Sequence, residues 1–133
     1  MSPEMTLSET VDARADIYAL GCVGYYLLTG KMVFAATSAI QMIAMHLRND
    51  PVPPSLRGNV PIPQPLEAVI LKCLAKKPED RYASVTDLSK ALDAARIQPW
   101  TEEQANAFWA ARRQSAAAVP ALAASERGAL API

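Results

Sequence analysis

Asp16-Ile17-Tyr18-Ala19-Leu20-Gly21-Cys22-Val23-Gly24-Tyr25-Tyr26-Leu27-Leu28-Thr29-Gly30 decides the architecture of this 133-residue chain. No charge follows Asp16 until Lys31. Ile17, Leu20, Val23, Tyr26, Leu27 and Leu28, with Ala19, Cys22 and Tyr25 between, put apolar side chains on every side of a helix predicted from about Ala13 to Thr29. A helix without a polar face lies in the middle of a core. Gly30 supplies the position just past its end, where positive φ costs glycine nothing. The run is shorter than the about 20 residues a membrane-spanning helix needs.

Amphipathic helices are predicted around this one. Ile40, Ile43, Ala44 and Leu47 recur at helical spacing from Ser38 to Arg48. Pro51, Pro53, Pro54, Pro61, Pro63 and Pro65 exclude helix and central strand between Asn49 and Pro65, which is expected to run extended over the surface. Pro51-x-x-Pro54 has the form of an SH3 ligand, but is read as part of a structural crossing loop. A third helix, Leu66 to Ala75, carries Leu66, Val69, Ile70, Cys73 and Leu74 as one stripe. Ser84 is placed to cap a fourth, Val85 to Ala95. Thr101-Glu102-Glu103-Gln104 is a capping box opening a fifth that is expected to end near Arg113. Trp100, Phe108 and Trp109 there are read as packing aromatics rather than ligand contacts. Ser115 onward, rich in Ala and Pro, is expected to be a disordered tail. No strand is predicted, so the fold class is all-α.

Composition narrows the function. Thirteen basic and thirteen acidic residues leave no electrostatic footprint for nucleic acid or an anionic membrane. Cys22 and Cys73 sit in apolar stretches and read as buried thiols of a reducing compartment. With no basic segment ahead of the first apolar run, a cytoplasmic location is expected.

Three short boxes stand in a fixed order: Ser2-Pro3-Glu4, then Asp16 to Gly21, then Pro78-Glu79-Asp80-Arg81-Tyr82. In that order, joined by these helices and the Leu28-Thr29-Gly30 turn, residues 1 to about 92 resemble the C-terminal lobe of serine/threonine protein kinases, above all the eukaryotic-like kinases of bacteria. Ser2-Pro3-Glu4 is similar to the Ala-Pro-Glu box that ends the activation segment. Asp16 to Gly21 is similar to the Asp-x-x-x-x-Gly signature of the lobe's central helix. The resemblance implies that Glu4 pairs with Arg81 and ties the activation segment to the lobe, and that Asp16 accepts backbone amide hydrogens of a catalytic loop. From the residues alone, Asp16 is a first-turn acid favoured by the helix dipole. Ser2 in place of alanine, and Met32-Val33 where a proline pair is common, are the departures.

The family's chemistry needs a glycine-rich loop, a strand lysine, a base aspartate, an asparagine and a metal-binding aspartate. Gly21, Gly24, Gly30, Gly58 and Gly128 make no G-x-G-x-x-G, His46 is followed by Leu47, and neither Phe34 nor Phe108 follows an aspartate. No catalytic, ATP-binding or metal-binding residue is therefore assigned. ATP and Mg belong to the parent family and are not expected on this chain. His46, the only histidine, reads as a partly exposed helix residue, and Asp12 with Asp16 as helix-start acids. Met1 resembles an internal methionine preceding the box, and translation is expected to begin upstream, or the gene to be truncated.

The sequence thus predicts a partial kinase domain over 1–97, a helical extension over 98–114 and a tail over 115–133. Its expected partners are a protein substrate or the missing N-terminal kinase portion, with self-association through an exposed apolar flank also admitted. The competing reading is a non-catalytic lobe that binds a protein partner.

Overall fold

The computed structural model describes residues 1–7 and 10–127, with side chains through residue 116. The chain divides after Ile97 into two compact units. The first holds α1 (Pro3–Thr6), α2 (Arg14–Thr29), α3 (Ala39–Arg48), α4 (Gln64–Cys73) and α5 (Val85–Ala94), with single 3-10 turns at Pro54–Leu56 and Pro78–Asp80. The second holds α6 (Glu102–Arg127). Among the described residues there is no strand, and no helix is long and apolar enough to cross a membrane.

The helix boundaries follow local chemistry. Gly30 closes α2 at φ 67°, and its N–H donates to the Tyr26 carbonyl. Ser38 and Ser84 cap α3 and α5, each accepting at Oγ from the backbone N–H three residues on. Thr101 and Gln104 bond each other reciprocally at the start of α6. That helix continues past Arg113, the end expected from the sequence, and through Ser115, where the sequence predicts a disordered tail. Alanine is the strongest helix former, and the run of alanines after Ser115 carries the helix on through Arg127. Residues 128–133 of the expected tail lie outside the described residues. Trp100 and Trp109 each meet Phe108 edge-on, with ring centroids 6.1 and 5.2 Å apart.

The core is the α2–α4 interface. Tyr18, Tyr25, Val33, Phe34, Ile70 and Leu74 form one cluster; Ile17, Val69, Cys73 and Leu88 form a second beneath α5. Glycine sets how closely the helices approach. A Cβ built on Gly21 would lie 2.7 Å from Cys73 Cβ and 3.1 Å from Leu74 Cδ2, inside any tolerable contact.

α2 buries only one stripe, Tyr18, Gly21 and Tyr25 with Ile17 beside it. The opposite stripe, Leu20, Val23, Tyr26 and Leu27, is exposed, Leu27 by 77%. An all-apolar helix is thus half covered. The proline segment is pinned rather than free. Tyr25 Oη donates to the Val52 carbonyl at 2.8 Å, Arg57 Nη1 donates to the Val33 carbonyl at 2.9 Å, and Pro54 is fully buried. Burial of Pro54 takes the Pro51-x-x-Pro54 ligand face out of reach, which favours the crossing-loop reading.

Candidate functional site: a buried arginine hub

The structure brings Glu4 and Arg81 together across 77 residues of sequence. Arg81 follows the 3-10 turn Pro78–Asp80, and its backbone is extended. α4 ends at Cys73, and a non-helical stretch leads from Leu74 to the turn at Pro78 that presents the guanidinium. Nη1 donates to Glu4 Oε1 and Nη2 to Oε2, both at 2.8 Å, in the two-pronged geometry that fits a planar fork to a carboxylate. The remaining N–H groups are also used. Nε donates to the Ala75 carbonyl at 2.8 Å, Nη1 to the Arg14 carbonyl at 2.9 Å, and Nη2 to the Lys76 carbonyl at 3.0 Å. Every one of the five donors of a guanidinium is thereby satisfied. The guanidinium carbon also lies 4.9 Å from the centroid of the Tyr18 ring. Glu4 is 2% and Arg81 4% exposed.

One cation therefore joins four places: the α1 segment through Glu4, the start of α2 through Arg14, the end of α4 through Ala75 and Lys76, and the core through Tyr18. The hydrogen bonds from Arg81 hold the Glu4 carboxyl below its ordinary range, against the upward push of burial. The sign for stability follows. A carboxyl whose folded pKa is depressed contributes fully above its unfolded pKa, and the contribution is lost as pH falls through the folded value. Urea unfolding of the chain is expected to give its highest midpoint above about pH 5 and a steadily lower one below, with the acid loss much reduced in Glu4→Gln.

Ser2 shows the cost of a departure from the box. It is 2% exposed, and among the described residues Oγ has no hydrogen-bond partner at close range, its nearest polar influence being on the Glu4 carboxyl. A buried hydroxyl without a partner costs about 1–3 kcal/mol in desolvation. Ser2→Ala is expected to raise stability by about 1 kcal/mol, read as a higher denaturation midpoint at unchanged slope.

Asp16 lies apart from this hub. Its carboxylate is exposed in the first turn of α2 and makes no hydrogen bond within the described residues. The nearby Asp12 instead holds Arg14 in an exposed pair at 2.7 Å. Gly21 is buried at the α2–α4 contact, so its part is packing.

Sequence reasoning missed a second set of residues. His46 is half-buried, and its Nδ1 shares a 2.7 Å hydrogen bond with Tyr18 Oη, while the Phe34 ring meets it edge-on. Lys76 Nζ donates to the His46 carbonyl at 2.9 Å and sits 4.8 Å from the Phe34 centroid. Burial holds both His46 and Lys76 below their ordinary pKa values. No local pattern signals these pairings, because the partners stand 28 and 30 residues apart. Burial likewise pushes the Cys22 thiol up, and Cys73 up to about 11, so neither is an activated nucleophile.

An apolar groove of about 320 Å³ runs between α1 and α3, lined by Met1, Met32, Met42, Ile43 and His46. Among the described residues no three His, Cys, Asp or Glu side chains gather as metal ligands.

Residues 1–94 match the family described as protein kinase domain. The chain is 48% identical over 88 residues to the serine/threonine-protein kinase PknB of Mycolicibacterium smegmatis, covering 66% of this chain and 14% of that protein. It is 49% identical over 96 residues to the serine/threonine-protein kinase Pkn1 of Myxococcus xanthus, covering 71% of this chain and 14% of that protein. With the serine/threonine-protein kinase PknH of Mycobacterium bovis the identity is 40% over 125 residues, 93% of this chain and 20% of that protein. The chain spans only 14% to 20% of the length of these relatives.

Proposed function

We propose, for a chain that belongs to the protein kinase domain family, that residues 1–97 serve as the structural floor of a serine/threonine kinase. The parent activity is transfer of the ATP γ-phosphoryl group to Ser or Thr of a protein. The observation carrying this reading is the Glu4–Arg81 hub, which clamps the α1 segment to the helical lobe. A protein substrate must be held against a fixed surface for in-line transfer, and positioning is most of what such catalysis requires.

The residues present do not fit Mg-ATP. The glycine-rich loop, strand lysine and catalytic acids are not in these 133 residues. The nucleotide chemistry is assigned to a separate N-terminal portion of the kinase domain. The exposed stripe of Leu20, Val23, Tyr26 and Leu27 supports that division, because it is too apolar to be a finished surface. Without cover the same stripe favours self-association. We place the protein in the cytoplasm, where ATP is supplied.

The test is complementation. The chain is incubated with radiolabelled Mg-ATP and a generic protein substrate, alone and with the portion of the M. smegmatis PknB kinase domain that precedes its counterpart of Ser2-Pro3-Glu4. PknB split at the same point is the control. No transfer by the chain alone, and at least a hundredfold rise over either part in the mixture, are expected. Labelling by the pure chain, or no rise where the PknB halves recombine, would overturn the proposal.

A second reading, a non-catalytic lobe that binds a protein partner, is favoured by the methionine-lined groove beside α3. Unbranched methionine adapts to varied apolar surfaces. A chain that stays monomeric and unfolds cooperatively, yet fails to complement, would favour this reading.

A further inference from the structure

The Arg81 hub and the His46 contacts close into one ring. Arg81 donates to the Lys76 carbonyl, Lys76 Nζ to the His46 carbonyl, His46 Nδ1 bonds Tyr18 Oη, and the Tyr18 ring lies beside the Arg81 guanidinium. α3 enters this ring only through His46. It contributes no fully buried residue of its own and otherwise packs on the core only through the partly buried side chains of Met42 and Met45. From this geometry we propose that His46 is a proton-sensitive latch: neutral, it fastens α3 to the Glu4–Arg81 hub, and protonated, it lets α3 go.

The argument rests on which groups can donate. Tyr18 is 0% exposed, and its hydroxyl makes no other hydrogen bond among the described residues. A neutral imidazole whose proton is on Nε2 accepts the Tyr18 proton at Nδ1 and satisfies both groups. A protonated imidazole has donors at both nitrogens. Nδ1–H then donates to Tyr18 Oη, so the buried Tyr18 O–H loses its acceptor, and an unpaired buried polar group is costly.

The charges around the ring point the same way. α2 offers His46 only Tyr18 and the Cys22 thiol, both pushed toward their neutral forms by burial. The Phe34 loop offers an apolar edge. Beyond α4 stands the Lys76 ammonium, which opposes a charge on His46. Glu4 is the nearest acid of the hub, and both its oxygens are taken by Arg81. The folded pKa of His46 is depressed, mainly by burial. Its contribution is therefore complete above about 6.5 and is lost as pH falls through the folded value. That loss falls on α3 first, because α3 carries the imidazole and α5 packs on α4, away from it.

Amide hydrogen exchange of the 133-residue chain tests this, comparing α3 with α5 at pH 7.5 and pH 5.5 after correction for intrinsic rates. α3 protection is expected to fall at least tenfold more than α5 protection. In His46→Gln, which does not titrate, the excess fall should shrink below threefold, and in Tyr18→Phe, which removes the stranded proton but leaves the imidazole buried, it should shrink in part. Equal falls in α3 and α5, or an undiminished fall in either variant, would overturn the latch. Should a variant not fold, NMR of the wild-type chain decides. His46 ring shifts and α3 amide shifts should titrate with one midpoint, and a ring titration that leaves α3 unmoved would overturn it equally.

Discussion

Arg81→Met is expected to lower the unfolding free energy by about 3–5 kcal/mol at pH 7.5, the range for breaking a buried ion pair from one side. Methionine keeps an apolar stem beside Tyr18, so the loss is chiefly of the polar head. Three carbonyls, those of Arg14, Ala75 and Lys76, lose their donor together with Glu4. With folded domains stable by only about 5–15 kcal/mol, such a loss approaches complete unfolding. Glu4→Gln should cost a comparable amount, because the amide accepts from only one prong of the fork, its NH2 faces the other, and the buried Arg81 cation loses its counter-ion. The pH dependence of Arg81→Met distinguishes it. Glu4 left buried and unpaired has a raised folded pKa, so its penalty grows as pH rises through that value and shrinks in acid. Urea unfolding at pH 7.5 and pH 4.5 reads both effects. A loss below about 1 kcal/mol that does not change with pH would show that the hub is incidental.

Gly21→Val is expected to cost about 3 kcal/mol, at the upper end for overpacking a core. The neighbour a Cβ meets at 2.7 Å is itself a Cβ, that of Cys73, which is fixed to the α4 backbone and cannot turn aside. Either α2 and α4 separate, opening both core clusters, or the backbones bend. Gly24→Ala provides the contrast. Its added Cβ would lie 2.6 Å from Ile70 Cδ1, the far end of a side chain that can change rotamer. Alanine also favours helix by about 1 kcal/mol over glycine. The result should lie within about 1 kcal/mol of the wild type, with a gain as acceptable as a small loss. Thermal or urea melts of the two variants measured together make the comparison. Equal effects would mean that the approach of α2 to α4 is not set by Gly21.

Local chemistry makes much of this molecule legible in its sequence. Gly30 ends α2, Ser38 and Ser84 start α3 and α5, and the Thr101 box starts α6, because each signal acts within four residues of where it is written. The apolar run after Asp16 announces the helix around which the lobe packs. The end of α6 is harder to place because alanine and proline send opposing local messages, and after Ser115 the helical preference of alanine prevails.

Where side chains meet is a different matter. Nothing near Arg81 in sequence names its three carbonyl partners, and nothing near His46 names Tyr18, since those meetings depend on how α2, α3 and α4 cross. Asp16 and Glu4 look alike as acids on first turns. Tertiary structure leaves one exposed and buries the other against a guanidinium. The sequence by itself determined the helices and the family, because hydrogen-bond periodicity and residue type act at short range. Only the tertiary structure decided which charges are buried, which glycine is a packing contact and which face of α2 stays bare, because burial is a property of neighbours brought from far along the chain.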